Sequence, residues 1–230
     1  MLAQGDAPEA HAALSDLCEA YWTPVFRFLC REGRNEDQSR ELTQEFFSRI
    51  LSGSGVENAE PGKGRFRSYL LGALKNFLSN QRRDAARIKR GGEAIIESID
   101  SGGSETSPGL QIPDTTTSPT DATFDRSWAL ALIQRGLNGL QDSFKAAEKA
   151  EQFEVLEPWL MGDGEKLSQA DAAAELGMSV GAVKVAIHRL RQKFGEIIRT
   201  EIAETVDTEE EVRQELRYLI EVLHSSSGTS

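Results

Sequence analysis

The chain is predicted to be all-α: two helical domains, a flexible linker between them and a C-terminal helix. Three observations predict it. Apolar residues recur almost everywhere at helical spacing, no alternating run of β-branched residues stands out, and one central stretch has scarcely any apolar content. At 230 residues the chain can fold as two modest domains, each with its own core.

Leu14, Leu17 and Tyr21, then Val25, Phe26 and Leu29, mark two short helices divided by Pro24, which starts a helix more readily than it continues one. Leu42, Phe46 and Ile50 mark the next helix, ended by the Gly/Ser run from Ser52 to Gly55. Phe66, Leu70, Leu74, Phe77 and Leu78 describe a long amphipathic helix running into Arg82–Arg90 and stopping at Gly91-Gly92. These elements form the first domain, residues 9–92. Residues 93–123, rich in Ser, Thr, Gly, Pro and Asp, bury too little to offset the entropy of ordering and are expected to be a flexible linker. The second domain, 124–205, begins with Trp128, Leu132, Ile133, Leu137, Leu140 and Phe144, followed by Phe153, Leu156 and Leu160. After the acidic break Asp207–Glu211 comes an extension, 206–224, carried by Val212, Leu216, Leu219, Ile220 and Leu223.

A helix-turn-helix is written into Ser168–Phe194. Ser168 and Asp171 have the form of a capping box, Ala172, Ala173 and Leu176 give a small packing face, and Gly177 suits a sharp turn. Ser179 caps the second helix, where Val183, Ile187 and Leu190 must face the core. The opposite face then presents Gly181, Lys184, Val185, His188, Arg189 and Arg191, a surface that can enter the major groove of DNA.

The net charge of −11 argues against nucleic acid until its distribution is considered. Residues 63–90 hold nine basic residues against Asp84 alone, a net of +8; residues 179–199 hold five against Glu196, a net of +4. The rest of the chain therefore carries −23. Two basic islands in an acidic chain point to two nucleic-acid contacts. Within the first, Arg65, Phe66, Arg67 and Tyr69 mix arginine with aromatic rings, the combination that stacks bases and neutralises phosphates of unpaired DNA. Phe66 fits a core position as well as a stacking platform. Glu41 and Glu45, one turn apart on a polar helix face, suit docking onto an arginine-rich helix.

Other chemistries find no footing. His11, His188 and His224 are scattered, and no nucleophile, metal-ligand or phosphate-loop spacing occurs, so neither enzyme activity nor a metal or cofactor is expected. Cys18 and Cys30 read as small apolar residues on the first helices. No run approaches the roughly 18 apolar residues of a membrane span, and Met1–Glu19 lacks the pattern of a secretory signal, which places the expected location in the cytoplasm.

Three blocks, in order and spacing, are together similar to the extracytoplasmic-function sigma factors. They are Glu41-Leu42-Thr43-Gln44-Glu45-Phe46-Phe47; Phe66-Arg67-Ser68-Tyr69-Leu70 with Lys75-Asn76; and Leu176-Gly177-Met178-Ser179 with Gly181-Ala182-Val183-Lys184 and His188-Arg189-Leu190-Arg191. The resemblance implies a region 2 domain and a region 4 domain. Glu41, Gln44, Glu45 and Phe47 would then dock on core RNA polymerase, at the beta-prime clamp helices, with the beta subunit a further partner. Arg65, Phe66, Arg67, Tyr69, Lys75, Asn76, Asn80, Arg82, Arg83 and Arg87 would melt the −10 element and hold its single strand. Ser179, Gly181, Lys184, Val185, His188, Arg189 and Arg191 would read the −35 element as duplex. Regulation would fall to an anti-sigma factor or to a Ser/Thr kinase. Arg40 stands where many relatives carry a carboxylate, and phosphorylation of Thr43, Ser39 or Ser48 is one way to restore the missing charge. The C-terminal helix is either a packing extension or a cover over a binding face. The alternative to a sigma factor is a free-standing helix-turn-helix regulator whose N-terminal domain senses a ligand or dimerises.

Overall fold

A computed structural model of the chain describes residues 15–16, 18–52, 65–90, 118–160 and 168–225, with side chains left aside for 87–90. Leu14, Leu17, Lys63, the Gly91-Gly92 stop and most of the expected linker lie outside these residues, as do the side chains of Arg87, Lys89 and Arg90. The described elements are helical throughout: α1 (Trp22–Arg31), α2 (Glu36–Leu51), α3 (Phe66–Arg90), α4 (Pro119–Ala146), α5 (Ala150–Leu156) with a 3-10 turn (Glu157–Trp159), α6 (Gln169–Glu175), α7 (Val180–Ala203) and α8 (Glu209–Ser225).

Local chemistry sets most boundaries. Pro24 lies in the first turn of α1, where its missing N–H would have had no partner. The Asn35 side chain accepts from the Gln38 N–H to start α2, and the Ser118 hydroxyl accepts from the Asp121 N–H to start α4. Helix α4 thus begins at Pro119, within the stretch expected to be linker, because Ser118-Pro119 is a helix-start signal that outweighs the polar composition around it. Ahead of α8, Thr208 and Glu211 form a reciprocal capping box: the Thr208 hydroxyl accepts from the Glu211 N–H while the Glu211 carboxylate accepts from the Thr208 N–H.

Two hydrophobic cores result, and they do not divide at the linker. The first joins α1–α3 (Val25, Leu29, Phe46, Ile50, Leu70, Leu74) to the first half of α4 (Phe124, Trp128, Leu132), the end of α7 (Ile198, Ile202) and α8 (Val212, Leu219). At its centre Tyr21 stacks on Trp128, ring centroids 3.5 Å apart and nearly parallel. The second core gathers Leu140, Phe153, Leu156 and Trp159 with Ala172, Ala173, Val183, Ile187 and Leu190 around the helix-turn-helix. Helices α4 and α7 run through both. They cross at Gly136, where an added Cβ would sit 2.5 Å from Ile198 Cδ1 and 3.0 Å from Phe194 Cε2.

Candidate nucleic-acid interface

Helix α6 ends in a Schellman motif. The Met178 N–H reaches the Ala173 carbonyl at 2.8 Å and the Gly177 N–H the Ala174 carbonyl at 3.3 Å. Gly177 takes φ +61°, the left-handed conformation expected of it. The Ser168 hydroxyl accepts from the Asp171 N–H at 3.2 Å and the Ser179 hydroxyl from the Ala182 N–H at 3.2 Å, so both helices carry the side-chain caps their sequences call for. Val183, Ile187 and Leu190 are buried, turning Gly181, Lys184, Val185, His188 and Arg189 to solvent on the other side of α7. Val185 is 49% exposed, a large apolar side chain on a cationic face. Arg191 differs from its neighbours: its guanidinium donates to the Trp159 carbonyl at 2.9 and 3.3 Å, tying α7 to the 3-10 turn.

The first basic island is more divided. Along the outer part of α3, Lys75, Asn76, Asn80, Arg82 and Arg83 are exposed; Lys75 pairs with Asp121 at 2.7 Å and Arg82 with Glu32 at 2.6 Å. The first turn is covered instead. The Phe66 N–H donates to the Thr205 carbonyl at 3.0 Å, and the Phe66 ring packs against Trp128 and Tyr69 at centroid distances of 6.0 and 6.1 Å. Tyr69 is half-buried. Arg67 is 6% exposed, paired with Glu215 of α8 at 2.7 Å and with Asp125 of α4, its guanidinium 4.4 Å from the centre of the Tyr218 ring. Burial opposes the charge on Arg67, but the Glu215 hydrogen bond and the fields of Asp125 and Glu215 hold its pKa above the ordinary arginine value. Arg65 also reaches Glu215, at 3.1 Å.

Sequence reasoning missed the acidic partners Asp121, Asp125 and Glu215 and the phenol of Tyr218. One signal was available for Glu215. It lies three residues after Val212 and four before Leu219, on the apolar stripe of α8, where an unpaired carboxylate would be costly.

On α2, Glu41 and Gln44 are exposed, whereas the Glu45 carboxylate is already engaged by Arg49 at 2.6 Å and by Gln81 at 3.0 Å. The Phe47 side chain does not reach the surface: it is 4% exposed, stacked on Trp22 and against Phe46. Phosphorylation of Ser39 or Thr43 does not fit this packing. Both are fully buried, and the Thr43 hydroxyl donates to the Ser39 carbonyl at 2.6 Å; Ser48 alone of the three is exposed. Burial pushes the Cys18 thiol up to about 11, in keeping with an inert core residue. Among the described residues no cluster of three or more His, Cys, Asp or Glu is arranged to hold a metal ion, and no helix is long and apolar enough to cross a membrane.

Comparison with known proteins bears on the same segments. The family profile for sigma-70 region 4 matches residues 160–194, from the end of the 3-10 turn through the exposed face of α7. The ECF RNA polymerase sigma factor SigE of Mycolicibacterium smegmatis is 27% identical over 206 residues, covering 88% of this chain and 69% of that protein. No solved structure matches.

Proposed function

We propose that this chain, which matches the sigma-70 region 4 profile over residues 160–194 and is 27% identical to an ECF sigma factor, is itself a sigma factor of that family that binds core RNA polymerase, selects promoters and assists their opening. The observation that carries this reading is the α7 face. Lys184, Val185, His188 and Arg189 stand exposed on one side of a capped recognition helix whose other side is locked into a core. A helix so presented can place its first residues at base edges and its arginines at phosphates of the −35 element.

The cations from Arg65, just ahead of α3, to Arg83 supply the second contact, along the single strand of the −10 element. Glu41 and Gln44, exposed on α2, supply the surface for the beta-prime subunit. An acidic chain with two basic faces has weak attraction for DNA at large, so useful affinity arises only when polymerase holds both faces against one promoter. Transcription in vitro with purified core polymerase and a genomic promoter library tests the proposal. Transcripts that need both proteins are expected; tight, specific binding by this chain alone, with no transcript above the core-only background, would identify a free-standing regulator instead.

A further inference from the structure

The cations at and just before the covered first turn of α3, with Lys75 further along it, already have anions, and every one of those anions comes from α4 or α8. Arg67 holds Glu215 at 2.7 Å and Asp125; Arg65 holds Glu215 at 3.1 Å and donates to the Gln214 side chain at 3.2 Å; Lys75 holds Asp121 at 2.7 Å. We propose that α8 and the first turns of α4 are an intramolecular ligand of the strand-binding surface of α3, so that promoter phosphates and the carboxylates of Asp121, Asp125 and Glu215 compete for Arg65, Arg67 and Lys75. The inference rests on the reading of α3 given above and adds what occupies it in the free protein.

Three features support competition over simple packing. Glu215 is 2% exposed and Asp125 also 2%, so Arg67 cannot meet a phosphate until α8 moves. A buried ion cluster is weak evidence for a purely stabilising role, because apolar side chains of similar volume do as well or better. Helix α8 is itself anionic, with five carboxylates against two arginines, and DNA would replace it like for like.

The test uses the full chain and a fluorescent, mixed-sequence single-stranded DNA of about a dozen nucleotides, read by anisotropy. The isosteric Glu215→Gln variant is expected to bind about tenfold more tightly than the unaltered protein. Adding Arg65→Gln and Lys75→Gln to it should reverse the gain. Hydrogen exchange on the unaltered chain gives a second measurement that no folding defect can confuse: amides of residues 212–224 should lose protection when DNA is added to saturation. No gain with Glu215→Gln, or α8 protection unmoved by bound DNA, overturns the inference. The reading of α3 itself is judged separately, by polymerase-dependent promoter opening. Should Arg65→Gln with Lys75→Gln abolish opening while Glu215→Gln shows no gain, only the α8 competition fails; should those two substitutions leave opening untouched, the reading of α3 fails with it.

Discussion

At single positions, the turn of the helix-turn-helix rests on two inexpensive devices that the sequence displays openly. Ser179→Ala removes the acceptor for the Ala182 N–H and is expected to cost about 1 kcal/mol. Gly177→Ala puts a Cβ on a residue at φ +61°, at a cost of about 1–2 kcal/mol. Both would register as lower denaturant midpoints with an unchanged slope. Tyr218 makes a different kind of prediction. Burial, reinforced by its hydrogen bond to Asp125, pushes the phenol up to about 12. The folded state therefore keeps this proton longer than the unfolded chain, whose tyrosines titrate near about 10. Its contribution to stability is complete below that value and is lost as the pH rises towards 12. Tyr21, raised by burial too, shares this behaviour, so the measurement is a contrast. Tyr218→Phe should flatten the alkaline fall of the denaturation midpoint without removing it; an unchanged pH profile would show that Asp125 does not hold the phenol. The Tyr218–Asp125 contact was not legible locally. Tyr218 lies 93 residues from Asp125, and no spacing rule links them.

Helices were the most legible level, since each needs only a start signal, an apolar stripe and a stop. The periodicity of Phe66–Leu78 anticipates α3, and Ser179 with Val183, Ile187 and Leu190 anticipates the recognition face of α7. Composition misled at the start of α4, where Thr120, Asp121 and Thr123 look like linker residues yet follow a Ser-Pro helix start and lead into Phe124 and Trp128. What periodicity could not show was how helices cross. Gly136 reads as a blemish in a long helix, costing about 1 kcal/mol against alanine. In the fold it is the point where α4 meets Ile198 and Phe194 of α7. Gly136→Val should therefore destabilise by about 1–3 kcal/mol through overpacking, read as a lower thermal midpoint. A higher midpoint, from helix propensity alone, would mean that α4 and α7 part without cost.

For the molecule as a whole, charge placement governs behaviour towards DNA. A net of −11, with net positive charge concentrated in residues 63–90 and 179–199, predicts weak binding by the chain alone and steep salt dependence in any polymerase complex. Lys184→Gln and Arg189→Gln, each on the exposed face of α7, should each lower the salt slope of holoenzyme binding to promoter duplex by about 0.9 if they meet phosphates. An unchanged slope with altered promoter preference would place them at base edges. The sequence by itself determined the helical class, the helix-turn-helix with its caps and turn, and the two basic islands, because these follow from residues within a few turns of one another. Only the tertiary structure decided which cations of the first island face solvent. Arg67 and Arg82 look alike in the sequence, yet one is buried against Asp125 and Glu215, 58 and 148 residues away, and the other remains exposed. A guanidinium's chemistry states that it will seek an anion; only the folded chain brings one within 3 Å, and here it brought the chain's own carboxylates before any phosphate.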